Sequence, residues 1–187
     1  MGIQQEEISG PPMQLFSLNH VSFVFQSVMA SSKFYEELLG FNHIRRPSSF
    51  NFDGGWLINN RFGIHLIQSD SKDDLPREPK IINPKDNRIS FQCSDIGSVI
   101  SKLEAMGIRY VKGMFEEGGI KVDQIFFHDS DGYMIEICNC DMFPVLPLSS
   151  SCSFKQPTIQ GKPMFSKTCE MVAKAYESNA SKPFKIL

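Results

Sequence analysis

Polar and apolar positions alternate over residues 18–25. Asn19, Val21, Phe23 and Phe25 fall on one side, His20, Ser22 and Val24 on the other, the period-two signature of a half-buried strand. A helix follows, with an apolar stripe of Phe34, Tyr35, Leu38 and Leu39, a cap at Ser31 or Ser32, and a left-handed stop at Gly40. Residues 41–46 predict a short strand ended by Pro47. After the turn signal Asp53-Gly54-Gly55, residues 56–59 and 63–68 predict a hairpin across Asn59-Asn60-Arg61. Residues 69–84, rich in prolines and charges, predict a solvated linker. The same order then returns: strand 88–93, helix 95–106 closed by Gly107, and strands 109–112, 124–127 and 133–139, the last two joined by Asp129-Ser130-Asp131-Gly132.

The two halves also match residue by residue. Asn19-His20-Val21-Ser22-Phe23 returns as Asn87-Arg88-Ile89-Ser90-Phe91, with Arg88 standing where the first copy has His20. Each half closes on an apolar strand carrying one inward polar group, His65 in the first and Glu136 in the second. Internal repetition decides architecture before any single residue is interpreted, and two copies suit a paired module better than a solenoid. The fold class expected is α+β, two paired βαβββ modules over residues 15–70 and 86–141. Residues 1–14, with Pro11-Pro12 and no periodicity, predict a flexible arm. Residues 149–187 predict an extended tail with one possible helix over residues 166–177.

Composition narrows the partners. A net charge of -2 from 19 basic and 21 acidic residues leaves no basic stripe for nucleic acid. Five cysteines without C-x-x-C spacing point to a reducing compartment and no zinc site. No apolar run is long enough to span a membrane, and residues 1–13 lack a basic start followed by an apolar stretch, so the expectation is a cytoplasmic protein. A small-molecule substrate is the partner class that remains.

The motifs Leu18-Asn19-His20, Gly63-Ile64-His65-Leu66, 87–93 and 131–139 resemble, in order and module position, the plant glyoxalase I-like branch of the vicinal oxygen chelate superfamily. The resemblance implies that the first and last strands of each module curve into a cup and supply one metal ligand each, at His20, His65, Glu136 and the position of Arg88. A guanidinium has no lone pair to give and its fixed charge repels a divalent ion, so no cofactor is expected, a divalent metal entering only if Arg88 does not block the site. His20, His65, Arg88 and Glu136 are the candidate catalytic residues. By alternation, Ser22, Ser90, Gln92 and Cys138 are the candidate substrate-binding residues, beside Val24, Ile67 and Met134. Phe23, Trp56, Phe91 and Phe126 are candidates for an apolar wall.

On this reading His20 or His65 is a general base and Arg88 holds an enolate where relatives hold a metal. The bland reading of Arg88 is a structural ion pair with Glu136 filling a vacated hole. The plant branch includes members recruited to specialised metabolism, so the resemblance implies enolisation, isomerisation or aromatisation of a small cyclic ketone, a sesquiterpenoid of a gossypol-type phytoalexin pathway among them. The alternatives are a metal-dependent lactoylglutathione lyase using His20, His65 and Glu136, and a non-catalytic protein that binds a small metabolite. The resemblance also implies a homodimer with sites built from both chains.

Overall fold

A computed structural model describes residues 15, 17–60, 62–76 and 81–143, together with three short stretches of the tail, 158–159, 162–163 and 182–186. The expected arm at 1–14 and the expected helix at 166–177 lie outside the described residues.

The first module runs β1 (His20–Phe25), α1 (Val28–Leu39), β2 (Asn42–Ile44), β3 (Gly54–Asn59) and β4 (Phe62–Gln68). The second runs β5 (Arg88–Gln92), α2 (Ile96–Ala105), β6 (Tyr110–Glu117), β7 (Ile120–His128) and β8 (Met134–Cys138). Sheet order is β1-β4-β3-β2 in the first and β5-β8-β7-β6 in the second, so the repeat in sequence is a repeat in topology. In each, the first and last strands pair in parallel, because the helix carries the chain over the sheet before the remaining three strands return antiparallel. In the tail, β9 (Thr158–Ile159) and β10 (Lys162–Pro163) pair with each other. The last strand, β11 (Lys182–Ile186), not foreseen from the sequence, adds to the edge at β6.

Three local expectations are corrected. Helix α1 is capped by Ser27, whose Oγ accepts from the Ala30 N–H at 3.3 Å, and not by Ser31 or Ser32. Ser27 leaves β1 in extended conformation, as a cap requires, while Ser31 lies buried inside the helix and donates to Asp131 Oδ2 at 3.1 Å. Strands β6 and β7 run far beyond the expected 109–112 and 124–127, meeting at Gly118 and Gly119, both at positive φ. That glycine pair supplies the turn a tight hairpin needs, and its charged flanks conceal the strand period. The expected linker holds a 3-10 turn, Lys72–Asp74, closed by a capping box between Ser71 and Asp74.

One apolar cluster joins the modules. Phe25, Tyr35, Leu38, Phe41, Leu57, Ile64 and Leu66 from the first meet Leu103, Ile125, Phe127, Ile135 and Ile137 from the second. Full burial of such a side chain stabilises by roughly 1.5–3 kcal/mol. Tyr133 packs on Phe23 and Phe25 at 4.7 and 5.4 Å and donates its hydroxyl to the Val24 carbonyl at 2.8 Å. These contacts use Val21, Phe23, Phe25, Ile64 and Leu66, the side of the first sheet opposite His20 and His65.

Candidate functional site

On the first sheet, three rings form one stack. His65 lies directly opposite Trp56 across β3 and β4, and the two rings sit 4.2 Å apart at an angle of 4°. The other face of His65 meets His20, at 3.8 Å and 15°. His20 pairs with Gly63, where a Cβ would stand 3.2 Å from the His20 Cβ; a bare glycine leaves room for the ring beside it. His20 Nδ1 lies 2.7 Å from Asn19 Oδ1, a bond that makes Nδ1 the donor and leaves Nε2 with the lone pair. His65 is held below the usual imidazole range, first by partial burial, then by the charges of His20 and Arg46.

On the second sheet the equivalent positions hold an ion pair. Arg88 donates through Nε to Glu136 Oε2, and Gln124 donates through Nε2 to Glu136 Oε1. The guanidinium lies 5.5 Å above the Phe126 ring and donates through Nη1 to the Asp86 carbonyl at 3.3 Å. Glu136 is buried, and both carboxylate oxygens are therefore satisfied by donors from two strands. Ser90 Oγ is 3.9 Å from Cys138 Sγ, and Gln92 donates to Asp141 at 3.2 Å. Cys140, beside Cys138, has its thiol pushed up to about 12, chiefly by burial, which makes it a poor nucleophile.

Register explains why the pairs correspond. His20 aligns with Gly63 and stacks on the residue two beyond it; Arg88 aligns with Met134 and bonds to the residue two beyond it. Ser22 faces His65 and Ser90 faces Glu136 in the same way.

The donor set does not fit a divalent metal within one chain. A metal must lie close to the plane of each imidazole that binds it, and two rings stacked at 15° have no common in-plane point near both nitrogens. Glu136 is engaged by Arg88 and Gln124. Among the described residues no three His, Cys, Asp or Glu side chains come together as a metal would require.

Of the sequence candidates, the structure thus brings His20 to His65 and Arg88 to Glu136, each pair on its own sheet, with no hydrogen bond or ring contact joining the pairs among the described residues. Trp56 and Phe126 share faces with these pairs. Phe23 and Phe91 do not: Phe23 packs on Tyr133, and Phe91 on Phe41 and Phe62, because their strand parity turns them to the shared core. Sequence reasoning missed Asn19, Gln124 and Arg46. For Gln124 a signal existed, since it stands two residues before Phe126 on the same strand face; Arg46 lies beyond the end of β2, where alternation gives no guide.

Residues 17–137 match the family described as Glyoxalase/Bleomycin resistance protein/Dioxygenase superfamily. A protein of Arabidopsis thaliana called Glyoxylase I 4 is 55% identical over 152 residues, 79% of this chain and 87% of that protein. The fosfomycin resistance protein FosX of Listeria monocytogenes superposes with a TM-score of 0.51 at 17% identity, covering 67% of this chain and 93% of that one. An integron cassette protein of V. cholerae gives the same score at 17% identity, over 68% and 97%. At such identities the two structures show the fold alone, whereas the sequence match carries further: the chain belongs to the Glyoxalase/Bleomycin resistance protein/Dioxygenase superfamily, as a glyoxalase I-like protein.

Proposed function

We propose that this chain is a glyoxalase I-like enzyme of plant specialised metabolism that works without a metal, enolising a small cyclic ketone, with a sesquiterpenoid ketone as the substrate class. The observation that carries the reading is the Arg88–Glu136 pair, which puts a fixed cation at the position matching His20. His20 Nε2 takes the proton from the carbon beside the carbonyl, its ring held by Asn19 and by the stack with His65. The electron pair moves to the carbonyl oxygen, and the resulting enolate is held by Arg88, whose Nη2 makes no hydrogen bond within the described residues. Protonation at a different carbon then gives the isomer. Because the two pairs sit on separate sheets, the reading includes a homodimer in which the His20 face of one copy meets the Arg88 face of the other.

The name borne by the Arabidopsis relative favours a second reading, a metal-dependent glyoxalase I in which Glu136 is freed from Arg88 and Gln124. Hydrogen–deuterium exchange beside the carbonyl of a bicyclic ketone, followed by NMR in D2O, separates the two. Exchange that persists in chelator and disappears in His20→Gln supports metal-free enolisation. Exchange or lactoylglutathione formation only with added nickel or zinc overturns it, and saturable binding without any exchange makes the chain a carrier.

A further inference from the structure

Beyond the two pairs, the segment after β2 brings a second cation, Arg46, to the face of the first sheet that carries His20 and His65. Gly54, Trp56 and Ile58 share that face by alternation, and a Cβ at Gly54 would collide with the Leu66 carbonyl oxygen and stand 3.6 Å from Arg46 Nε. The Arg46 side chain therefore lies over the bare glycine. Two rings clamp it, with the guanidinium carbon 4.7 Å from the centre of Phe50 and 4.6 Å from that of Phe52. Phe50 packs on Trp56 at 5.7 Å, and Trp56 on His65, so an unbroken row of rings leads from Arg46 to the proposed base.

The guanidinium is held but not neutralised. Nη2 is shut off from water and meets no hydrogen-bond acceptor, and Arg46 makes no ion pair with any described carboxylate. A purely structural arginine in such a clamp is expected to end on a carboxylate or carbonyl, because a desolvated charged donor left unmatched is costly. Arg46 itself lines a groove of about 520 Å³, together with Phe50, Phe52, Gln68 and two carboxylates, Asp53 and Asp70, neither of which pairs with the guanidinium.

We propose that Arg46 is the anion receptor of this site and that the substrate is a cyclic ketone bearing a carboxylate. The carboxylate docks on the outward edge of the guanidinium, which is only half-buried, and the carbon skeleton lies along Phe50 and Trp56 with the carbonyl end directed toward the His65–His20 stack. The inference rests on the enolisation reading for the carbonyl's fate, while the receptor itself is measurable by binding alone.

Trp56 is the sole tryptophan of the chain, so its fluorescence reports binding at this row of rings. The probes are 4-oxocyclohexanecarboxylate and its neutral carboxamide, titrated into the full-length chain. The carboxylate is expected to bind about tenfold more tightly, the worth of one charge-assisted hydrogen bond to a guanidinium. Arg46→Met, which keeps the length of the side chain, should erase the preference; Arg46→Lys should retain part of it. Equal affinity for both probes in the native chain, or a preference that survives Arg46→Met in a variant with native circular dichroism, overturns the proposal. The receptor stands or falls on these affinities alone, and the enolisation reading on deuterium exchange of the bicyclic ketone, so the two fail separately.

Discussion

Arg88 reaches Glu136 along the same diagonal by which His20 reaches His65: in each module the first-strand residue meets the fourth-strand residue two beyond its register partner. Two changes at matching positions, His to Arg on the first strand and His to Glu on the fourth, thus convert a pair of stacked imidazoles into an ion pair without altering the backbone that presents them. Glu136 is the more buried partner, with side-chain exposure of 6% against 33% for Arg88, so the carboxylate depends on the guanidinium more than the reverse.

That asymmetry sets the first expectation. Arg88→Met leaves a buried carboxylate with Gln124 as its remaining donor, and should destabilise by roughly 2–3 kcal/mol, below the range for fully buried pairs because Arg88 is partly in water. The double variant Arg88→Met with Glu136→Gln should recover most of the loss. Urea melts of the native chain, single variant and double variant decide it; a double variant no more stable than the single one would mean that the pair holds nothing together.

Arg88→His restores a ligand type and removes the charge opposed to a metal. The variant should gain nickel or zinc on dialysis against the metal, and deuterium exchange by the metal-free variant should fall roughly 100 to 1,000-fold, as expected when an oxyanion donor is lost. Metal analysis and NMR exchange check the two halves separately. Unchanged exchange together with no metal would remove Arg88 from the chemistry.

If the site is shared between copies, two inactive chains should complement one another. Mixing His20→Gln chains with Arg88→Met chains under dissociating conditions, then reassociating them, builds heterodimers with one intact site, recovering about a quarter of native exchange for random pairing. No recovery, or a monomer by light scattering, counts against the shared site.

Stability should fall as the medium turns from acid to neutral, through Asp129. This carboxyl, buried between the modules and accepting from the Tyr35 hydroxyl at 2.8 Å, is pushed up to about 6 because burial outweighs its hydrogen bonds. A carboxyl whose folded pKa lies above its unfolded one gives stability that is whole below about pH 4 and is lost as pH rises through about 6. The contribution is on the order of 2–3 kcal/mol. Melts from pH 4 to pH 7 should show the fall, and Asp129→Asn should flatten it.

Gly40 ends helix α1 at φ 69, with open space to 4 Å around the place a methyl group would take, so Gly40→Ala should cost about 1 kcal/mol from the backbone alone, read as a lower urea midpoint.

Much of the architecture is local and was therefore legible in the chain. Period-two runs at 18–25 and 88–93, the glycine stops at Gly40 and Gly107, and the repeated Asn-X-Val/Ile-Ser-Phe set two modules of like topology, because strand parity and helix stops are written in adjacent residues. Parity also placed His20, His65, Arg88 and Glu136 on matching strand faces, since one first-strand and one fourth-strand position per module carry the polar group.

Tertiary structure decided what those faces touch. Ser27 takes the cap because Ser31 is drawn to Asp131, 100 residues away; Phe23 and Phe91 leave the expected wall because the second module supplies Tyr133, and the first Phe41 and Phe62, on the other side. The stack of Trp56, His65 and His20, the capture of both Glu136 oxygens and the clamp on Arg46 each join residues from different strands or loops. Side-chain alternation says which face a residue occupies but not which neighbour the folded sheet places beside it, since that neighbour is set by register between strands that lie far apart in the chain.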